Sequence, residues 1–436
     1  MSTALNWTGK DAAFALGRRL ISGDADASGH LGDGPHFIRD GDTYVPGVDE
    51  NLLVVGDNLP GLTGLLATHR RRVKVVYIDP PYNTGNALAY KDHGHDHASW
   101  LNFMTPRLML ARELMRDDGV IFIHLDDGES AWAQLLGHEI FGEDNSLGTL
   151  IHQRAKGGGN SPSFVRGHDY VHVWGRVGGQ AGAFLTEKKA PAKLEIIDGR
   201  RMLVETDVLR AGFGRYARGQ ERRLMYEDIL EVKGAKKLAE VDAKLGTGEY
   251  VLRQWGAQGK HAVVRVTPAE KASSKLYSII KALGGQNDLE DLGLGGIFSY
   301  PKPVELVKAL VTSQTFFDPE AIVLDFFAGS GTTAQAVMAA NRRDEGSRKF
   351  ILVQTPEPLR TKNARSLAEA GPDADSKADS TAGPECDSAA GPDSDSAAGP
   401  EGDFTEISRL TAERIRRAAR RLDPELSFTE VAVAEE

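Results

Sequence analysis

Val73-Lys74-Val75-Val76-Tyr77-Ile78-Asp79-Pro80-Pro81-Tyr82 reads as an apolar strand that ends on an acid and a stiff turn. The apolar run is short and β-branched, which suits a strand buried on both faces. The same alternation repeats outward from it. Upstream, residues 52–55 read as a strand closing at Gly56-Asp57-Asn58, and 59–69 as a helix. Downstream, a polar loop from Asn83 to Ser99 leads to a helix over 100–115, a strand over 120–125 and a helix over 129–141. Strands separated by helices at this spacing predict an α/β fold with a parallel, doubly wound sheet. The pattern fades after Ile151. It resumes at Lys302 with a helix over 303–313, a strand over 322–324, a helix from Ala334 and a strand over 350–353.

The remaining segments divide the chain further. Residues 1–50 look irregular apart from a short helix over 11–20. Residues 370–403 repeat Ala-Gly-Pro four times, each followed by acids; such sequence buries no core and is expected to be a disordered spacer. A basic helix is expected over 406–421. The predicted organisation is therefore an extension (1–50), a first core half (51–177), an inserted region (178–296), a second core half (297–369), the acidic spacer (370–403) and a C-terminal helix (404–436).

The formal net charge of -10 is local in origin. The spacer holds nine acids against Lys377 alone, whereas residues 151–300 carry about seven excess positive charges, which suits a phosphate-tracking region. Cys386 is the single cysteine, which excludes a disulfide framework or a multi-cysteine metal site. No apolar run is long enough to span a bilayer, and the N-terminal residues show no secretion signal. These features lead us to expect a cytoplasmic protein without membrane contact.

Asp79-Pro80-Pro81-Tyr82 falls at the carboxyl end of its strand, where α/β proteins bind ligands. An exocyclic amino group on a nucleobase is a poor nucleophile because its lone pair is delocalised into the ring. A carboxylate and a backbone carbonyl accepting its two N–H groups would free that lone pair. Prolines stiffen the turn and donate no N–H, and a tyrosine ring offers a stacking face for a base swung out of a duplex. Asp-Pro turns are also common after strands in proteins without such chemistry. The second motif, Asp325-x-Phe327-x-Gly329-x-Gly331, lets backbone approach a ligand at a helix N-terminus. No Gly-Lys-Ser/Thr follows, so it is not a phosphate-binding P-loop. A nicotinamide or flavin fold competes through Gly329, Gly331 and Ala334, yet the strand that should end in a ribose-binding acid ends in Gln354.

Together these motifs resemble the β-class amino methyltransferases, in which the catalytic motif precedes the cofactor motif. More closely, the chain resembles the modification subunits of type III restriction–modification systems. The stretches that carry the resemblance are Gly56-Asp57-Asn58-Leu59, VVYIDPPYNTG (75–85), WLNFMTPRLMLAR (100–112), DGVIFIHLDD (118–127), VLDFFAGSGTTA (323–334), 350–357 and 407–417. The resemblance implies a Rossmann-like sheet binding S-adenosylmethionine, N6 methylation of adenine in double-stranded DNA, and target recognition by the inserted region. It also implies a restriction subunit as partner, and a homodimer. Methylation of cytosine N4 and a non-catalytic DNA-recognition subunit are the alternatives.

Carried over by position, Asp79 and the Pro80 carbonyl hold the amino group, with Pro81 shaping the loop and Tyr82 stacking on the base. On the cofactor side the resemblance implies Asp57, Asp79, Lys302, Pro303, Asp325, Phe327, Gly329, Gly331, Thr332 and Gln354. The chain departs from the family at Gln354, where many relatives carry an acid. Two further departures are the short inserted region and the acidic repeat. Asp92, His93, His95, Asp96 and His97 look like a metal cluster but read better as a mobile loop, because methyl transfer from a sulfonium needs no metal; none is expected. Arg200, Arg201, Arg215, Arg218, Arg222 and Arg223, near Phe213, Tyr216 and Tyr226, suit DNA grooves or a solvated surface equally.

Overall fold

The protein is described by a computed structural model over residues 5–23, 36–83, 96–155, 164–187, 193–197, 200–212, 223–255, 259–268, 272–359 and 404–434. In chain order the elements begin α1 (Lys10–Ser22), β1 (Phe37–Arg39), β2 (Asp42–Tyr44), β3 (Leu52–Val55), α2 (Asn58–His69), β4 (Val73–Ile78), α3 (His97–Leu114) and β5 (Met115–Leu125). Next come α4 (Asp127–Phe141), β6 (Ser146–Gln153), β7 (His168–Gly175), β8 (Leu185–Glu187), β9 (Lys193–Ile197), β10 (Arg200–Glu205), α5 (Ile229–Lys233) and α6 (Ala235–Gly246). They continue with β11 (Tyr250–Trp255), β12 (Lys260–Pro268), β13 (Ser273–Lys275), β14 (Ile279–Lys281), α7 (Gly285–Glu290) and α8 (Val304–Thr315). The last are β15 (Ile322–Asp325), α9 (Thr332–Asp344), β16 (Lys349–Gln354), α10 (Ile407–Leu422) and β17 (Thr429–Val433). Among the described residues no helix is long and apolar enough to cross a membrane.

Two compact units result: residues 1–183 with 277–436, and Phe184–Leu276. The first is built on a sheet ordered β14-β6-β7-β5-β4-β15-β16-β3-β17-β1-β2. Its centre, β5-β4-β15-β16-β3-β17, is parallel throughout. Every residue of β4 is buried, as continuous apolar strands with helices on both faces must be. The exception proves to be paired: Lys74 Nζ donates to the backbone oxygen of Asp118 (2.7 Å) and to its carboxylate (2.9 Å). Helix α2 starts because Asp57 accepts from Leu59 N–H as N-cap, and it then buries Leu59, Leu62, Leu65 and Leu66 along one side. Asp96 and Asp126 cap α3 and α4 in the same way.

Several elements differ from the sequence expectation. Helix α3 starts at His97, three residues early, because the Asp96 side chain accepts from Ser99 N–H. Residues 1–50 contain a hairpin, β1–β2, whose turn residues Asp40 and Gly41 sit at φ 54° and 92°, the left-handed pair that a tight hairpin demands. Strands β6 and β7 extend the sheet past Ile151, with β7 antiparallel to β5. Strand β17 joins parallel to β3 from the far end of the chain.

The smaller unit lies inside the 178–296 segment in which the α/β periodicity fades. It contains the antiparallel sheet β11-β12-β10-β9, the pair β8–β13, and helices α5 and α6. Its cores are modest: Leu224, Ile229, Val241, Tyr250 and Val263 form one, and Val204, Ala262, Val264 and Val266 another.

Candidate active site

Strands β4, β15, β16 and β3 are parallel neighbours, so their carboxyl ends line one edge of the sheet. Asp79, Asp325, Gln354 and Asp57 each close one of these strands or follow it by one or two residues. Sequence-distant motifs are thereby brought onto one rim, with the Asp79 and Gly329 motifs on adjacent strands.

In the loop after β4, Asp79 is half-buried and ion-paired. Lys302 Nζ donates to both Asp79 Oδ1 and Oδ2 at 2.8 Å and lies 4.7 Å from the centre of the Tyr82 ring. The Pro81 carbonyl accepts from Trp100 Nε1 at 2.9 Å, so α3 anchors the loop. Asn83, at φ 61°, donates to the buried Glu129, which also meets His97 Nδ1 at 3.0 Å. His97 is thus engaged by α4; His93 and His95 lie outside the described residues. Burial, reinforced by the Asp79 charge, raises the Tyr82 hydroxyl well above the ordinary tyrosine range, so the ring meets a partner uncharged.

The cofactor-side turn is held from three directions. Asp325, 3% exposed, accepts from Phe327 N–H (3.0 Å) and from Thr333 Oγ1 (2.5 Å). Burial pushes its carboxyl up to about 7 against the pull of those two donors, and the Asp79 charge adds to the rise. Gly329 and Gly331 take φ 52° and 85°, left-handed values that favour glycine, and Gly331 caps α9. Gln354 Oε1 accepts from Gly329 N–H at 2.7 Å, and its Nε2 donates to Thr355 O. The Gln354 amide therefore braces the turn. From α10, Thr411 Oγ1 donates to Gly329 O (2.6 Å), while the buried Arg414 reaches Ser330 Oγ (2.7 Å), Thr332 Oγ1 (2.8 Å) and Gln335 Oε1 (2.9 Å). Phe327 is half-buried beside Phe103, 6.0 Å between ring centres. Thr332 Oγ1 also contacts Lys302 O at 3.3 Å, and Pro303 caps α8.

At the last strand Asp57 is oriented by Arg107, whose Nη2 lies 3.0 and 3.3 Å from its two oxygens and whose guanidinium lies 3.7 Å from the Phe103 ring centre. The Asp57 side chain remains 53% exposed. Sequence reasoning missed Trp100, Arg107 and Arg414. Arg107 carried a signal: a cation directly after Pro106, at a position on the buried face of the helix. A polar cavity of about 350 Å³ lined by Asn51, Asn341, Arg348 and Thr429 lies at the opposite, amino ends of β3, β16 and β17, away from this rim.

In the smaller unit several basic residues are already paired: Arg253 with Glu195, Lys260 with Asp228 and Arg265 with Glu205. Arg200 is exposed, and Arg223 stacks over Trp255 at 4.3 Å. Tyr226 donates to Asp242. Phe213, Arg215, Tyr216, Arg218 and Arg222 lie outside the described residues, as does the Arg201 side chain.

The chain is 29% identical to the EcoPI Mod subunit of a type III restriction–modification enzyme from Escherichia phage P1, over 84% of this chain and 66% of that protein. It is 30% identical to the type II methyltransferase M.KpnI of Klebsiella pneumoniae, over 70% of this chain and 81% of the relative. The StyLTI Mod subunit of Salmonella typhimurium is also 30% identical, over 71% of this chain and 53% of the relative. The chain thus spans just under two thirds of the first of these Mod subunits and about half of the other. A family model described as DNA methylase, of the N6/N4 type, matches residues 73–357, which include both the Asp79 loop and the Gly329 turn, and the chain accordingly belongs to the DNA methylase family.

Proposed function

We propose that this chain is an S-adenosylmethionine-dependent DNA methyltransferase acting on the N6 amino group of adenine in duplex DNA. The observation that carries the reading is the adjacency of Asp79 and the Gly329–Gly331 turn at the ends of neighbouring strands within a family-matched span. The names of the relatives support a role in a restriction–modification system, with a restriction subunit as partner; the homodimer remains part of the same reading. On this reading the protein works where the DNA is, in the cytoplasm.

The rim fits the cofactor. A left-handed glycine turn leaves no Cβ in the way, the N-terminus of α9 faces it, Phe327 gives an apolar wall, and the exposed Asp57 carboxylate is held in one orientation for polar groups. Gly329, Gly331, Thr332, Phe327, Asp325, Asp57, Lys302 and Pro303 would hold it, with Gln354 fixing the turn. When bound, S-adenosylmethionine supplies an electrophilic methyl group on a sulfonium. Asp79 and the Pro80 carbonyl accept the two amino N–H groups and so localise the nitrogen lone pair, while Tyr82 stacks on the flipped base. Both Asp79 oxygens bond Lys302, and each keeps a second lone pair for the substrate. Positioning and preorganised acceptors supply the catalysis.

The test is to incubate the purified chain with radiolabelled S-adenosylmethionine and unmethylated genomic DNA, then identify the labelled nucleoside. N6-methyladenine is expected. N4-methylcytosine would replace the adenine assignment, and absence of transfer to any DNA would overturn the reading.

A further inference from the structure

Strands β5, β6 and β7 bring three ligand-type side chains to one buried point beneath the catalytic loop. Ile121, Ile123 and Leu125 of β5 pack into the core with α2, α3 and α4, so the alternate residue His124 faces the other side of the sheet. There it meets His152 of β6 and Asp169 of β7, which oppose each other in register. All three are at most 2% exposed.

His124 Nε2 lies 3.3 Å from His152 Nδ1 and 3.5 Å from Asp169 Oδ2, and the latter two atoms are 3.8 Å apart. These separations are too long for good hydrogen bonds. They are the edges kept by ligands of one small ion: a point just off the plane of that triangle lies about 2.2 Å from all three atoms, matching zinc–nitrogen and zinc–oxygen bonds of about 2.0–2.2 Å in a tetrahedral site.

The outer ring nitrogens support this. His152 Nε2 is 2.9 Å from the carbonyl of Ala282 and so carries the proton, which leaves Nδ1 a lone pair pointing inward. His124 Nδ1 is 2.9 Å from the Tyr77 hydroxyl. Without an ion the centre is short of hydrogens: His152 Nδ1 and Asp169 Oδ2 can only accept, and His124 Nε2 can donate one at most. Asp169 Oδ1 is buried without a hydrogen-bond partner, although Arg154 Nε stands 3.2 Å away as an ion pair.

We propose that His124, His152 and Asp169 form a buried binding site for one divalent transition-metal ion of the zinc type. Two imidazoles and a carboxylate are borderline donors suited to zinc, and they leave one coordination position open. The ion joins three strands and, through Tyr77, reaches β4 two residues before Asp79. Its role is to stiffen the base of the catalytic loop; it takes no part in methyl transfer.

The test uses the untagged full-length chain, stripped with a chelator and reloaded with zinc chloride. Bound zinc is measured by elemental analysis after gel filtration, together with the melting temperature. One zinc per chain and a higher melting temperature are expected, because an ion that binds only the folded state stabilises it. Cobalt in its place should give the visible absorption of a tetrahedral site. His152→Gln and Asp169→Asn conserve size; each should weaken zinc binding more than about tenfold, the scale associated even with losing a supporting partner, while circular dichroism stays unchanged. A wild-type chain that takes up no zinc, or stoichiometric zinc that both variants retain, overturns the proposal.

Discussion

Asp79 and Asp325 end neighbouring parallel strands, yet the chain makes opposite chemistry of them. Two residues after Asp325 comes Phe327, whose N–H folds back onto the carboxylate, and Thr333 satisfies the other oxygen. Two residues after Asp79 comes Pro81, which has no N–H, so that local turn cannot form. Asp325 is consequently self-contained, and its burial, against the pull of those two donors, pushes it up to about 7. Asp79 remains half-buried and open to an external partner, a place that Lys302 fills here. For this pair the rule is that an N–H two residues on satisfies the carboxylate locally, and a proline there leaves it for another partner.

The largest expected effect follows from the open carboxylate. Asp79→Ala should lower methyl transfer on the order of a thousandfold, since it removes a preorganised acceptor, while cofactor affinity by equilibrium dialysis stays within a few-fold. Near-normal turnover would erase the distinction between the two acids.

Next in size is the bracing of the cofactor turn. Arg414→Met keeps the length of the side chain but leaves Ser330, Thr332 and Gln335 without their buried donor. If the unbraced turn forfeits about 3 kcal/mol in the bound state, the upper end for one unpaired buried group, cofactor affinity falls roughly a hundredfold. Calorimetric titration with S-adenosylmethionine, alongside circular dichroism, checks it; unaltered affinity would show that the turn holds its shape without α10.

Pro81→Ala tests the rule itself. It restores an N–H two residues after Asp79 and lets the carboxylate fold back as Asp325 does. We expect turnover about tenfold lower with the fold intact, the scale of a modest misplacement of a reacting group. A variant as fast as wild type would show that the missing N–H is immaterial.

How much of this was legible in the sequence depended on whether the signal was local. Strands β3, β4, β15, β16 and the 120–125 part of β5 are short apolar runs ending in marked turns, so both motifs could be put on strand ends. Arg414 was not legible as a brace, because Arg414, Arg416, Arg417, Arg420 and Arg421 look alike until α10 docks on the turn. Strand β7 does alternate, with Val171 and Val173 between Tyr170, His172 and Trp174, but two histidines and an acid mask it. The His124–His152–Asp169 cluster depends on strand register alone, which spacing along the chain does not carry.

The smallest effect concerns pH, where the buried acid and the buried histidines oppose each other. The Asp325 carboxyl rises from 3.8 to about 7 in the folded chain, mainly through burial. Between those values the folded state holds a proton that the unfolded state has released, so this group makes stability fall as pH rises, and its full penalty is present above 7. His69, His124 and His172 are pushed from 6.5 down to about 4, in each case chiefly by burial. The unfolded chain takes up those protons first, so their contribution is intact above 6.5 and is lost as pH falls toward 4. Every pH unit that separates the folded from the unfolded titration is worth about 1.4 kcal/mol, so one acid offsets roughly one histidine of the three. The melting temperature of the metal-free wild type should therefore climb from pH 4 to 6.5, and Asp325→Asn, which removes the opposing slope, should climb more steeply. Thermal melts across that range in matched ionic strength measure the difference. Equal slopes in the two proteins would mean that Asp325 stays ionised in the folded chain, and that its confinement by Phe327 and Thr333 outweighs its burial.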